Sequence, residues 1–196
     1  QQWSGYTVYR YNATYNYLGA FNSSRRYNFG LQGDLTEDAW NSASGYHNTI
    51  DRFDGMSSAG PKWSYSIGST SGGVAVDSSN VYAMRQSGNV VYVLARANGA
   101  LSRTFTLNTY TGTLYGGLAV HEGKLYRGTS DQWVYRYDLQ GIHDGMKFQA
   151  APNIYNAAYT GKQLCYSANS SSVYCYDLGD YDCKTGDDCI DTDIAI

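Results

Sequence analysis

The chain is poor in almost everything that marks a function outright. Of its 196 residues, 2 are proline and 3 are histidine, and charged residues make up 16%. The formal net charge is −3. No basic stripe is present to neutralise phosphates, which excludes nucleic acid as a partner class. No run of 18 apolar residues occurs, so no helical membrane span is written in the sequence. No Gly-x-Ser-x-Gly, His-Glu-x-x-His or phosphate loop occurs either. His47, His121 and His143 fall in turn-like segments with no partner at ligand spacing. His121 stands where a neighbouring repeat has Asp77, which reads as turn chemistry. No catalytic residue, no metal ligand set and no cofactor is therefore expected.

What is abundant is tyrosine and glycine, 21 and 22 residues. Both suit short twisted strands joined by tight turns. A strand motif recurs five times: Val8-Tyr9-Arg10-Tyr11, Ile50-Asp51-Arg52-Phe53, Val91-Tyr92-Val93-Leu94, Val134-Tyr135-Arg136-Tyr137 and Val173-Tyr174-Cys175-Tyr176. The steps are 42, 41, 43 and 39 residues. An aromatic follows the first four motifs, at Phe21, Trp63, Phe105 and Phe148, and is assigned to packing between repeats.

Two repeats are written most clearly. Gly72-Gly73-Val74-Ala75-Val76-Asp77 precedes Val81-Tyr82-Ala83-Met84, and Gly116-Gly117-Leu118-Ala119-Val120-His121 precedes Leu125-Tyr126-Arg127-Gly128. Each reads as an inner strand of small residues, a turn and a second strand. Small residues suit strands that crowd a common axis. A four-strand unit with a period near 40 predicts an all-β, propeller-like fold of four-stranded blades of about 42 residues.

The bookkeeping gives four to five blades. The chain opens on a third and a fourth strand, while its last unit carries its own third strand. Either one blade is incomplete, or spare edges pair outside the chain. The expected division is a propeller domain over residues 1–178 and an acidic, Cys-containing tail over 179–196, a candidate inter-subunit strand.

The stretches "VYRYDLQGIHDGMKF" and "GGVAVDSSNVYAM" resemble the broad superfamily of quinoprotein-like and YVTN/NHL-type β-propellers. The resemblance covers roughly residues 6 to 176 and matches strand and turn positions. It implies the fold. It carries over no quinone site and no catalytic residue, since that superfamily holds dehydrogenases, hydrolases, lectins and scaffolds alike.

All four cysteines lie from Cys165 onward, with predicted bridges Cys165–Cys175 and Cys183–Cys189. Metal binding is the rival reading, but no CxxC and no nearby His supports it. Asp180, Asp182, Asp187, Asp188, Asp191 and Asp193 do not keep the spacing of a calcium loop. Sequons at Asn12, Asn22 and Asn169, and a start at Gln1-Gln2-Trp3, point to a secreted, glycosylated chain. Tyr15, Tyr17, Tyr46 and Trp133 are the candidate outward aromatic residues. Ile190, Ile194 and Ile196 share one side of the terminal segment and would seek a partner strand.

Together these features predict a secreted, non-enzymatic structural or adhesive module of an extracellular assembly. Its partners would be other copies of itself or matrix components. The alternative is a secreted lectin that binds glycans on aromatic-lined sites. A lesser alternative is a propeller enzyme with its site in the central channel.

Overall fold

The computed structural model describes residues 7–11, 16–22, 28–33, 39–43, 48–54, 60–68, 71–109, 117–150, 154, 156–159, 163–167 and 173–177. Every regular element among them is a β-strand. The first two, β1 (Thr7–Tyr11) and β2 (Tyr17–Asn22), form a hairpin with no other strand in its sheet. The first four-stranded sheet holds β3 (Asn28–Gly33), β4 (Ala39–Ala43), β5 (Thr49–Phe53) and β6 (Trp63–Ser66). The second holds β7 (Ser71–Val76), β8 (Asn80–Arg85), β9 (Val90–Ala95) and β10 (Leu101–Thr106). The third holds β11 (Leu118–His121), β12 (Lys124–Gly128), β13 (Trp133–Asp138) and β14 (His143–Gln149). Among the described residues the fourth sheet holds three strands, β15 (Asn156–Tyr159), β16 (Gln163–Ser167) and β17 (Val173–Asp177).

Each sheet is an antiparallel meander in sequence order, so the repeat read from the sequence is one sheet. The first strands define the axis. β3 neighbours β7, β7 neighbours β11, β11 neighbours β15, and β15 neighbours β3. The cycle therefore closes on four inner strands. The small residues of those strands permit this approach. Val74, Ala75, Leu118, Ala119 and Ala157 are all buried.

Between successive sheets lie the cores. Ile50 and Ile67 meet Val74, Val81, Ala83 and Leu94 between the first and second sheets. Tyr82, Met84 and Val91 meet Leu125, Tyr135 and Tyr137 between the second and third. Tyr126, Val134 and Phe148 meet Ala157, Leu164 and Tyr166 between the third and fourth. In the third-sheet motif Val134 faces the following sheet, while Tyr135 and Tyr137 face the preceding one. The alternation of side chains along a strand separates Val134 from Tyr135 in this way.

Register corrects the position of one repeating aromatic. Val8 pairs with Phe21, Val91 with Phe105 and Val134 with Phe148, but Ile50 pairs with Tyr65. The second aromatic is thus Tyr65. Trp63 lies two places earlier, opposite Arg52. It is the structural counterpart of Arg103. Both residues reach the next sheet's turn: Trp63 Nε1 donates to the Arg96 carbonyl at 3.2 Å, and Arg103 donates to the Leu139 carbonyl at 2.8 Å. The two carbonyls occupy equivalent positions, just after β9 and β13. Gly99 makes room for the Trp63 ring, because an added Cβ there would sit 2.6 Å from Cε3.

His143 also departs from expectation. It begins β14 rather than lying in a turn. Its ring sits against Tyr135 and Tyr137, at centroid distances of 5.7 and 5.5 Å.

Candidate functional site

The second strands of the four sheets share one equivalent register position. Register places Asn41 opposite Asp51, Ala83 opposite Tyr92, Arg127 opposite Tyr135 and Tyr166 opposite Tyr174. Ala83 is the residue a crowded interior calls for. Arg127 is not, yet it is fully buried. Burying a guanidinium is costly unless it is well partnered. Arg127 lies opposite Leu118, the first residue of β11, near one end of the axis.

Two sets of hydrogen-bonded groups lie in the third sheet, one at Arg127 and one at Asp131. The Arg127 guanidinium is hydrogen-bonded to the Tyr137 phenol. Burial pushes that phenol up, and Arg127 partly offsets the effect. The Tyr137 O–H donates to the Thr109 carbonyl at 2.9 Å, which ties the third sheet to the exit of the second. Thr129, also fully buried, donates its hydroxyl to the Asp131 carboxylate, with the Trp133 carbonyl 3.0 Å away. Tyr135 O–H donates to Asp131 Oδ2 at 3.0 Å, and Trp133 N–H donates to Oδ1 at 3.3 Å. Asp131 itself is exposed. A positive charge in the interior and an anchored carboxylate at the surface thus lie on neighbouring parts of one sheet. Gln132, next to Asp131, has φ of 72°, an uncommon conformation for a non-glycine residue.

Two other polar groupings stand out. Asp51 is fully buried and accepts from Ser64 Oγ at 2.5 Å and Thr49 Oγ1 at 3.0 Å. At the far end of β11, His121 stacks on Tyr159 of β15 with centroids 3.7 Å apart, and its Nε2 is 3.7 Å from Glu122. Among the described residues no group of three or more His, Cys, Asp or Glu is arranged to hold a metal ion. No helix among them is long and apolar enough to cross a membrane.

Of the residues singled out from the sequence, Tyr17, Trp133, Asn22, Cys165 and Cys175 fall within the described residues. Tyr17 is 59% exposed on β2. Trp133 begins β13 and is half-buried against the core, with the Lys147 ammonium 4.4 Å from its ring centroid. Asn22 is the last residue of β2. A disulfide joins Cys165 and Cys175, directly paired on β16 and β17. Tyr15, Tyr46, Asn12, Asn169, Cys183, Cys189, Ile190, Ile194 and Ile196 lie outside the described residues. Arg127, Thr129 and Asp131 had not been singled out. The signal for Arg127 was nonetheless in the repeat, where Leu-Tyr-Arg-Gly stands for Val-Tyr-Ala-Met.

No family model matches the chain, and no curated protein matches it by sequence. Solved structures do. The glutaminyl cyclase of Myxococcus xanthus superposes with a TM-score of 0.65 at 19% identity, over 78% of this chain and 66% of that one. BamB from Moraxella catarrhalis superposes at 0.52 with 15% identity, over 91% of this chain and 57% of that one. The chain folds as a β-propeller. The computationally designed Ika8 protein superposes at 0.53 with 14% identity, over 85% of this chain and 51% of that one. The chain thus spans just under two thirds of the cyclase and little more than half of BamB. At these identities the likeness concerns the fold.

The likeness corrects one expectation, that the module is non-enzymatic. The superposed propeller of highest TM-score among these three is an enzyme. The reading from sequence took the lack of a contiguous catalytic motif as evidence against chemistry. A propeller gathers its residues from separate repeats, so its site need not leave such a motif.

Proposed function

We propose that this propeller is an enzyme acting on a small carboxamide or acyl substrate at the Arg127 end of its axis, with N-terminal glutaminyl cyclisation as the first reaction to test. The observation that carries this reading is Arg127, a fully buried guanidinium where the sister sheet holds Ala83. In such a cyclisation the α-nitrogen attacks the side-chain carbonyl carbon, a C–N bond forms, and ammonia leaves. The site must hold the amine and stabilise an oxyanion. Asp131, held by Thr129, Tyr135 and Trp133, is placed to pair with the amine. Arg127 supplies fixed positive charge behind it, oriented by the Tyr137 phenol.

The test is ammonia release from a peptide that begins with glutamine. Asp131→Asn, at an exposed position, should raise KM about tenfold or more while circular dichroism is unchanged. Arg127→Met removes the charge behind Asp131 and should lower kcat about tenfold, about 1.4 kcal/mol in the barrier, with circular dichroism unchanged. Absence of ammonia release by the unaltered chain, or an Asp131→Asn variant with unaltered KM, refutes this reading.

A second reading, compatible with catalysis, is a secreted subunit of an extracellular assembly. Val173 and Tyr174 are 63% and 39% exposed on β17, and among the described residues no strand lies beyond β17. Open strand edges recruit partners. In this reading residues 1–178 are the propeller, the acidic stretch 179–196 is a connector, and Asn12, Asn22 and Asn169 carry glycans. Deleting residues 190–196 should then shift the protein to monomer in light scattering across a dilution series. A truncated chain that assembles as before excludes the tail as connector. A glycan array separates this role from the lectin alternative, for which exposed Tyr17 is the aromatic to mutate.

A further inference from the structure

The ring has four inner strands but five copies of the third-strand motif, and this surplus has a definite location. β2 leads to β3 through five residues, 23–27. The corresponding connections from fourth strand to next inner strand are 67–70, 107–117 and 150–155. Spacing therefore makes β1–β2 the third and fourth strands of whichever sheet precedes β3 in the ring. The inner-strand cycle puts β15 beside β3, so that sheet is the fourth. Its third-strand place, next to β16, is occupied by β17. β1 carries the same motif, and its Val8 pairs with Phe21 as Val134 pairs with Phe148.

We propose that the β1–β2 hairpin and β17 are competing occupants of the outer edge of β16, and that the Cys165–Cys175 bridge selects β17. With the bridge closed, β17 is pinned to β16 and the hairpin stays a separate sheet, as in the structure. With the bridge open, the hairpin moves in and the fourth sheet becomes β15-β16-β1-β2. That sheet has four strands like the other three. The exchange is intramolecular: the five-residue link to β3 keeps the hairpin near β15, and a short tether gives an effective concentration of about millimolar order. A lone two-stranded hairpin is marginal in water, so docking also stabilises it. The switching step needs a dithiol. The Sγ–Sγ bond breaks, each cysteine sulfur takes a proton, and the dithiol is oxidised to its cyclic disulfide.

Register makes the test specific. Cys165 faces Cys175, and in the exchanged sheet the motif position of Cys175 is taken by Arg10. The full chain carrying Arg10→Cys and Cys175→Ser, with Cys183→Ser and Cys189→Ser to remove rival thiols, should form a bridge between positions 10 and 165. Non-reducing peptide mapping of the monomer fraction would show it. In parallel, the unaltered chain is followed by hydrogen exchange before and after dithiothreitol. Amides of 173–177 should lose at least tenfold in protection, while those of 7–11 gain. The inference is overturned if the 10–165 bridge is absent from a folded variant or occurs only between two chains. It is equally overturned if reduction frees β17 with no gain at β1. Should the variant fail to fold, the exchange experiment decides alone.

Discussion

Replacing Gly99 with alanine tests the packing between the first two blades. Gly99 has φ of 72°, and a Cβ there would lie 2.6 and 2.7 Å from Cε3 and Cδ2 of Trp63. Two costs follow. A left-handed backbone costs an alanine about 1–2 kcal/mol. Forcing apart a packed ring costs about 1–3 kcal/mol more. Trp63 cannot yield freely, because its Nε1 is held by the Arg96 carbonyl. Gly123 is the internal control: its φ is also 72°, but nothing lies within 4 Å of its added Cβ. Gly123→Ala should therefore show the backbone cost alone. Urea unfolding followed by circular dichroism should place Gly99→Ala about 1–3 kcal/mol below Gly123→Ala, the overpacking cost by itself. In a Trp63→Ala background that gap should close, because the clashing ring is gone. Equal losses at the two glycines, or a gap that survives Trp63→Ala, would refute the packing argument.

The fully buried Tyr166 hydroxyl has no hydrogen-bond partner, and burial raises its pKa well above the usual phenol value. Tyr166→Phe should therefore raise stability by about 1 kcal/mol in urea unfolding, and a loss of that size would show that the hydroxyl is satisfied. Burial works against the Asp77 and Asp144 carboxylates, but hydrogen bonds outweigh it, chiefly from Ser79 N–H and Tyr82 O–H to Asp77 and from Met146 N–H, with the Arg136 charge, to Asp144. Both pKa values are lowered, so their stabilisation is present above about pH 4 and is lost as pH falls through the folded values. Asp77→Asn should shallow the acid limb of the stability curve, and an unaltered limb would exclude Asp77 from it. Replacing Cys165 and Cys175 by serine should cost about 2–3 kcal/mol, read from the urea midpoint against the unaltered chain. Enzymatic deglycosylation followed by mass spectrometry should show mass loss at Asn12 and Asn169 if the chain is secreted through a glycosylating pathway.

How much was legible in advance can be judged from particular residues. The short runs that begin at Ile50, Val91 and Val134 needed no structure to be read as strands, because they recur with their turns at one period. The pairing of Cys165 with Cys175 followed from two strands joined by a short turn. Register within the irregular repeat did not follow. Trp63 looked like the counterpart of Phe105, while the chain places Tyr65, two residues later, there, because the connection from Ile50 to its partner is one residue longer than that from Val91 to Phe105. A shift of two keeps the same face toward the core, so the hydrophobic pattern cannot detect it.

The sequence by itself determined the strand period, the all-β class and the faces buried between blades. Those properties are local: they rest on alternation along one strand and on turn chemistry between neighbours. Ring size, the burial of Arg127 and the choice of β17 rather than β1 beside β16 were decided only by tertiary structure. Each depends on which inner strand meets which across the axis, and β3 meets β15 from opposite ends of the chain. Such a contact joins distant parts of the sequence, and no periodic pattern along one strand encodes the partner that closes the ring.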